Sequence, residues 1–191
     1  MYRILLLLVF FPAFAGFFAC SSAQNKIQAY IEIPAGTNLK LEYDFNKSEL
    51  VPDTLNGLPR EIQYLPYPAN YGFIIGTIQD KASGGDGVPL DVLVISSALQ
   101  PGDSIEVIPL GVIQTLDEGE KDDKIIAIPA DTGLQTVKAS SFQDLRKHYP
   151  GMIEIFEIWF SNYNQKNNFT EIVNTGDEKL AMELIRRFSI H

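Results

Sequence analysis

The sequence predicts an α+β fold in which a small antiparallel β-barrel carries two or three packed helices. Three observations lead to this class. Strand-like runs fill residues 27–130, several of them are continuously apolar between glycine or proline residues, and helical patterns begin only after residue 140. No internal repeat, low-complexity tract or linker interrupts residues 27–191, so these residues are expected to form one domain.

Six runs favour strands. IQAYIEI (27–33) and LKLEYDF (39–45) alternate as half-buried strands do, and a turn at residues 35–38 separates them. The runs YGFIIGTI (71–78), DVLVIS (91–96) and IEVIPLGVI (105–113) are apolar or β-branched almost throughout, and KIIAIPA (124–130) closes this part of the chain. Runs of this kind are typical of strands in a barrel that is buried on both faces.

The helical signals come late. Ser140 or Ser141 can cap a helix over residues 142–149, and Pro150 precedes a second helix over residues 151–163. In that second segment, apolar side chains recur along one face. A last helix over residues 177–188 begins with acidic residues and ends with arginines, as the helix dipole favours.

The first 19 residues have the layout of a signal peptide. Arg3 precedes an apolar run that ends in small residues, and Pro12 and Gly16 interrupt this run, which is shorter than the roughly 20 residues of a spanning helix. Cys20, the only cysteine, follows in a context that resembles a bacterial lipoprotein processing site. Simple secretion with cleavage after Ala23 is the alternative. Either route predicts export, to the periplasm or as a lipoprotein anchored in the outer membrane of a bacterium.

The charge balance limits the partners. The chain carries a formal charge of −9, and loss of the leader with its single charged residue, Arg3, leaves −10. An acidic protein of this kind is not expected to bind nucleic acid, and it is expected to meet a membrane only through a lipid anchor at Cys20. An anionic small substrate is still compatible with this charge if metal ions lie between it and the acids.

Two segments between predicted strands are rich in carboxylates. One holds Asp86 and Asp91, and the other, LDEGEKDDK, holds Asp117, Glu118 and Asp122 among its acids. A barrel can bring both segments to the same rim, where oxygen ligands would suit Mg²⁺, Mn²⁺ or Ca²⁺ better than zinc. The alternative is that each segment is a solvated hairpin tip.

From about Ile27 to the last helix the sequence resembles the soluble family I inorganic pyrophosphatases. Five segments carry the resemblance in the family's order and approximate spacing. They are EIPAGTNLKLE, YPANYGF, DGVPLDVLV, LDEGEKDDKIIAIP and WFSNY. The resemblance implies a five-stranded OB-like barrel over residues 27–191, hydrolysis of inorganic pyrophosphate with Mg²⁺ or, as a substitute, Mn²⁺, and a tendency to form homo-oligomers.

The resemblance also implies a role for individual residues. The family's metal ligands fall on Asp86, Asp91, Asp117 and Asp122, and its supporting acids fall on Glu32, Glu42 and Glu118. Its phosphate-contacting positions fall on Lys40, Arg60, Tyr71, Lys124 and Tyr163, and a further active-site tyrosine falls on Tyr67. Taken singly, the tyrosines are equally compatible with core packing, and Lys40 and Arg60 with ordinary surface positions.

Two positions depart from the family pattern. Val88 stands where the family has the aspartate that acts as general base on the attacking water, and Asn164 stands where it has a substrate-binding lysine, although Lys166 is close in sequence. Three hypotheses follow. The chain is a slow or altered pyrophosphatase, a metal- and phosphate-binding pseudoenzyme of the cell envelope, or a hydrolase of another phosphoanhydride or phosphoester with a base from elsewhere, such as Asp80.

Overall fold

The structure is a computed structural model, and it describes residues 27–164 and 170–190. Three predicted features lie outside the described residues: the signal peptide, its candidate modification site Cys20, and Lys166, the cation close in sequence to Asn164. Across the two described ranges, no helix is both long and apolar enough to cross a membrane.

The secondary structure elements follow the order expected from the sequence, with strands first and helices last. The strands are β1 (Ile27–Ile33), β2 (Leu41–Asp44), β3 (Glu49–Pro52), β4 (Thr54–Leu55), β5 (Leu58–Pro59), β6 (Asn70–Ile74), β7 (Asp91–Val94), β8 (Ser104–Asp117), β9 (Glu120–Lys121), β10 (Lys124–Pro129) and β11 (Glu171–Asp177). The helices are η1, a single 3-10 turn (Lys81–Ser83), α1 (Phe142–His148), α2 (Met152–Asn162) and α3 (Glu178–Phe188).

Five strands pair in a ring, which confirms the predicted five-stranded, OB-like α+β architecture. The order is β1, β6, β7, β10 and β8, and β8 also pairs with β1. Four of these pairs are antiparallel, but β7 and β10 run parallel, in contrast to the uniformly antiparallel barrel that the sequence predicted. The parallel pair follows from the number of strands, because direction reverses four times from β7 through β6, β1 and β8 to β10, and a closed ring of five strands cannot alternate throughout.

The ring strands are buried on both faces, as their continuous apolar runs predicted. On β7, Val92 and Val94 belong to a core cluster that includes residues of α3, whereas Leu93 belongs to a second cluster with residues of α1 and α2. On β10, Ile125 and Ile126 alternate between the same two clusters. Because successive side chains of a strand point to opposite faces, such strands have no polar face in their sequence.

The remaining differences from the predicted elements lie at strand ends and in short pairs. The run predicted over residues 71–78 ends at Ile74, because Gly76 takes a positive φ of 78° and turns the chain. The short strands β3, β4, β5 and β9 and the edge strand β11 were not predicted. Of the two candidate caps, Ser141 is the one whose hydroxyl accepts a hydrogen bond, from the Asp144 N–H at 3.1 Å.

Gly72 allows β1 and β6 to approach each other closely. It pairs with Ile31, and a Cβ atom at this position would lie 1.9 Å from the backbone oxygen of Tyr30. We expect Gly72→Ala to lower the free energy of unfolding by about 1–3 kcal/mol or more, since backbone rather than a flexible side chain must move. Denaturant unfolding measures this change. The control is Gly133→Ala, where a Cβ would approach only the Asp131 side chain, and equal midpoints for the two variants would contradict the prediction.

Glu32 places a carboxyl group in the interior between β1 and β2. It is buried, and its Oε1 accepts a hydrogen bond from the Tyr43 N–H at 2.7 Å. Burial raises the pKa of Glu32 to about 8, the Tyr43 hydrogen bond opposes this rise, and the nearby Asp91 carboxylate adds to it. In the folded protein this side chain is therefore neutral over a pH range in which it ionises in the unfolded chain.

The raised pKa of Glu32 predicts a pH dependence of stability. Between about pH 5 and 8 the folded state binds more protons than the unfolded state, so the contribution of Glu32 to the free energy of unfolding falls as pH rises through this window. We expect Glu32→Gln to remove this part of the slope, with the largest gain over the parent at the alkaline end. Urea unfolding across pH 5–9 in a chelating buffer measures it. The exposed Glu61→Gln is the control, and parallel curves for Glu32→Gln and the parent would contradict the prediction.

Candidate active site

Most of the residues predicted for the site line a single cavity of about 370 Å³. The structure therefore brings together side chains from positions that are far apart in the sequence. The predicted residues in its walls are Glu32, Lys40, Glu42, Tyr67, Tyr71, Asp86, Val88, Asp91, Asp117, Asp122 and Tyr163. Arg60, Lys124, Glu118 and Asn164 are not among the lining residues.

Four aspartates reach the cavity because neighbouring strands begin or end at its edge. Asp91 is the first residue of β7, and Asp117 is the last residue of β8. Asp122 lies in the connection between β9 and β10, and Asp86 lies in the loop between η1 and β7. The two carboxylate-rich segments of the sequence thus meet at one place through these four aspartates, whereas Glu118 lies at the exposed tip of the β8–β9 hairpin.

Lys124 is a buried cation that contacts two of these carboxylates. Its side chain is 2% exposed, and its Nζ lies 2.6 Å from Oδ2 of Asp91 and donates a second, short hydrogen bond to Oδ1 of Asp122. The Tyr71 hydroxyl donates to the same oxygen of Asp91. Burial acts to lower the pKa of Lys124, but the two carboxylates outweigh burial and raise it, so the ammonium keeps its charge.

The carboxylates have unequal electrostatic surroundings. Burial raises the pKa of Asp86 and of Asp117, and it raises the pKa of Asp91 to about 6 even though Lys124 opposes the rise. Burial also acts against ionisation of Asp122, but the charge of Lys124 outweighs it and lowers that pKa. The cluster therefore holds more negative charge than the one buried ammonium offsets.

This donor set fits a divalent cation. The ligands are carboxylate oxygens, which Mg²⁺ and Mn²⁺ prefer, and Oδ1 of Asp117 is buried without a hydrogen-bond partner. Within residues 27–164 and 170–190, no three His, Cys, Asp or Glu side chains are already gathered as a ready set of ligands. Two of the four aspartates, Asp91 and Asp122, share the Lys124 ammonium as a partner.

Two further cations are held by carboxylates, and one of them, Lys40, lines the cavity. Lys40 is 2.5 Å from Oε1 of Glu42 and 3.4 Å from Oδ2 of Asp53, and these partners raise the pKa of Lys40 although burial acts to lower it. Arg60 contacts the same oxygen of Asp53 at 3.1 Å and donates to Oδ1 of Asn164 at 3.4 Å. Asp53 therefore positions both predicted phosphate-contacting cations, a role that no pattern in the sequence indicated.

An aromatic layer forms another side of the cavity. The rings of Trp159 and Tyr163 are stacked with centroids 4.7 Å apart, and Tyr67 lies 4.7 Å from Trp159 on another side. Trp159 is fixed by a 2.9 Å hydrogen bond from its Nε1 to the backbone oxygen of Leu65. The tyrosines thus pack into the core and also line the cavity, so core packing and an active-site position, the two interpretations that the sequence left open, are compatible.

Val88 lines the cavity at the position where the resemblance implies a catalytic aspartate. The loop around it is well ordered by hydrogen bonds: the Val88 N–H donates to Oδ1 of Asp86 at 3.0 Å, and its carbonyl accepts from the Gln79 N–H at 2.7 Å. Its side chain is 46% exposed. Asp80, the alternative base, is not a lining residue, and its carboxylate caps η1 by accepting from the Ala82 N–H.

Sequence reasoning missed the part of the cavity that is apolar. Phe160 and Trp159 were expected only to pack along one face of α2, and Tyr43, Phe45 and Phe73 were expected only as strand residues. All five line the cavity. Aromatic residues in strands and helices are usually packing residues, so their types and spacing carried no signal of this position.

Comparison with known proteins agrees with this geometry. The family model described as inorganic pyrophosphatase matches residues 29–190. The inorganic pyrophosphatase of Sulfolobus acidocaldarius is 41% identical over 113 residues, which are 58% of this chain and 58% of that protein, and that of Saccharolobus solfataricus is 34% identical over 86% of this chain and 91% of its own length. A crystal structure described as an inorganic phosphatase from Anaplasma phagocytophilum has 31% identity and a TM-score of 0.71, covering 88% of this chain and 94% of its own. The chain therefore belongs to the inorganic pyrophosphatase family.

Proposed function

We propose that the protein hydrolyses inorganic diphosphate to two phosphates in a metal-dependent reaction. The observation that carries this proposal is the meeting of Asp86, Asp91, Asp117 and Asp122 in one cavity with Lys40 at its side. The names of the relatives support it, since proteins similar over most of this chain are inorganic pyrophosphatases.

The charge of the site explains why metal ions are required. Diphosphate is a small, highly charged anion, and four carboxylates would repel it. Bound divalent cations supply Lewis-acid chemistry there, since they neutralise phosphate oxygens and acidify a water molecule. The Asp117 oxygen without a hydrogen-bond partner supports this ligand role, and burial, which raises the pKa of Asp86 and of Asp117, makes a nearby positive charge favourable.

The residues of the chain bind and orient the substrate. Lys40 offers a cation to an outer phosphate oxygen, and Tyr163 offers a hydroxyl that adds no charge. Lys124 and Tyr71 hold the Asp91 carboxylate in a fixed orientation, with one ammonium contact at 2.6 Å and one hydroxyl bond. Arg60 contributes through Asp53, which it shares with Lys40.

The proposed activity is slow compared with a site that carries its own general base. Val88 has no group that can accept a proton, and removing a positioned base typically costs about 10²–10⁴-fold in rate. Asn164 adds no charge and accepts a hydrogen bond from Arg60, so it contributes no cation to the substrate. A protein that binds metal and phosphate without turnover is the second candidate, and Val88 is the observation that favours it.

Val88→Asp tests the proposed impairment. We expect this variant to release phosphate from magnesium pyrophosphate about 10²–10⁴-fold faster than the parent, because the Asp86 and Gln79 hydrogen bonds already hold the loop backbone in place. Val88→Asn, which adds a polar group of the same shape without a base, is the matched control and should stay near the parent rate. Phosphate release in neither the parent nor Val88→Asp would instead assign the chain to the binding class.

Metal binding is tested independently of turnover. We expect Mg²⁺ or Mn²⁺ to raise the melting temperature of the parent, because a ligand that binds only the folded state stabilises it. Changes next to a metal ligand already cost about 10–100-fold in affinity, so Asp117→Asn should weaken binding by at least about tenfold in calorimetric titration. The exposed Asp131→Asn is the control, and identical titrations for Asp117→Asn and the parent would contradict the assignment.

A further inference from the structure

One wall of the active-site cavity is apolar. Besides the carboxylates, the lining includes Leu41, Tyr43, Phe45, Phe73, Val88 and Pro89. Phe45 is 57% exposed and Val88 is 46% exposed. This wall is continuous with the site proposed for diphosphate, so a molecule bound at the carboxylates can contact it.

The wall is held in place before any ligand binds. The Phe45 ring meets Tyr43 edge to face with centroids 4.9 Å apart, and its centroid lies 5.6 Å from that of Phe73. Phe73 in turn stacks on Tyr30 at 5.2 Å. Four aromatic rings are therefore in contact with one another, and Phe45 is the one among them that is most exposed.

Inorganic diphosphate gains no favourable interaction from contact with this apolar surface. It is polar over its whole extent, so contact with Phe45 and Val88 would remove water from its oxygens and return no hydrogen bond. An apolar group placed there gains about 25 cal/mol for each Å² removed from water. The wall therefore favours a ligand that joins a phosphate-bearing end to an apolar end.

The limited positive charge at the cavity also favours a ligand with less negative charge than inorganic diphosphate. Lys124 lies beneath the carboxylates and contacts Asp91 and Asp122, and Arg60 is held by Asp53 and Asn164. Among the described residues that line the cavity, Lys40 is the cation. A diphosphate that carries an organic group on one end has one ionisable oxygen fewer than inorganic diphosphate, and it needs correspondingly less positive charge.

We propose that the substrate class of this site extends to diphosphate monoesters of an acyclic apolar alcohol, such as a prenyl diphosphate, with the chain lying along Phe45 and Val88. The proposal rests on the proposed diphosphatase function of the same carboxylates. A nucleoside diphosphate fits less well, because among the side chains of the wall only the Tyr43 hydroxyl can form a hydrogen bond to a base.

The reaction is a hydrolysis of the same bond type. Oxygen of water forms a bond to the terminal phosphorus, and the bond from that phosphorus to the bridging oxygen breaks. The bridging oxygen leaves with the organic monophosphate, the terminal group leaves as inorganic phosphate, and the proton released from water passes to solvent. No oxidant, reductant or second substrate is required.

The test compares four substrates on the full chain with Mg²⁺. They are geranyl diphosphate, methyl diphosphate (the same diphosphate ester without an apolar chain), ADP and inorganic diphosphate. We expect kcat/KM for phosphate release to be at least about tenfold higher for geranyl than for methyl diphosphate, since tenfold corresponds to burial of only about two methylene groups. Equal values for the two esters, or a preference for ADP, would overturn the inference.

Variants of Phe45 separate the wall from the rest of the site. Phe45→Ser should reduce the geranyl to methyl ratio toward one, whereas the conservative Phe45→Leu should keep the ratio. The exposed Ile155→Ser on α2 is the control for loss of a surface apolar side chain. An unchanged ratio in Phe45→Ser contradicts the inference alone, and absence of inorganic diphosphate turnover in the parent and in Val88→Asp contradicts the proposed function.

Discussion

The buried ammonium of Lys124 is the interaction on which both the fold and the site depend. It lies at the first position of β10, beside Asp91 at the first position of β7, and the parallel register of these strands pairs the two residues directly. An ammonium at 2% exposure is costly unless its donors are satisfied, and Asp91 and Asp122 satisfy it. The same contacts orient the Asp91 and Asp122 carboxylates, so the pairing of β7 with β10 also sets part of the geometry of the site.

A cluster of carboxylates around one ammonium is strained electrostatically, and the rest of the fold must offset that strain. Burial raises the pKa of Asp86, Asp91 and Asp117, which means that their ionised forms are disfavoured in this place. The strands that carry them are apolar on both faces and are packed by two core clusters, one on each side. This electrostatically unfavourable cluster is tolerated because the well-packed strands around it offset its cost.

Much of this could be predicted from the sequence. The apolar runs of β7, β8 and β10 gave the ring strands, and the resemblance gave the positions of the four aspartates. The parallel pairing of β7 with β10 could not be read from residue types, because a strand buried on both faces has no alternation that reports its partner or direction. Asp53 was missed for a related reason: a single acid between two short strand pairs shows its role only when its contacts with Lys40 and Arg60 are seen.

The apolar wall was hidden because each of its residues looks like core packing until the cavity is seen. Val88 and Phe45 are far apart in the sequence, yet both line the same cavity. The Val88 N–H donates a hydrogen bond to Oδ1 of Asp86, and because this donor is a backbone group, any side chain except proline at position 88 would permit the bond. An acid at position 88 would draw water to this wall, whereas valine excludes it. The side chain that carries no proton acceptor at position 88 thus also contributes apolar surface to the cavity.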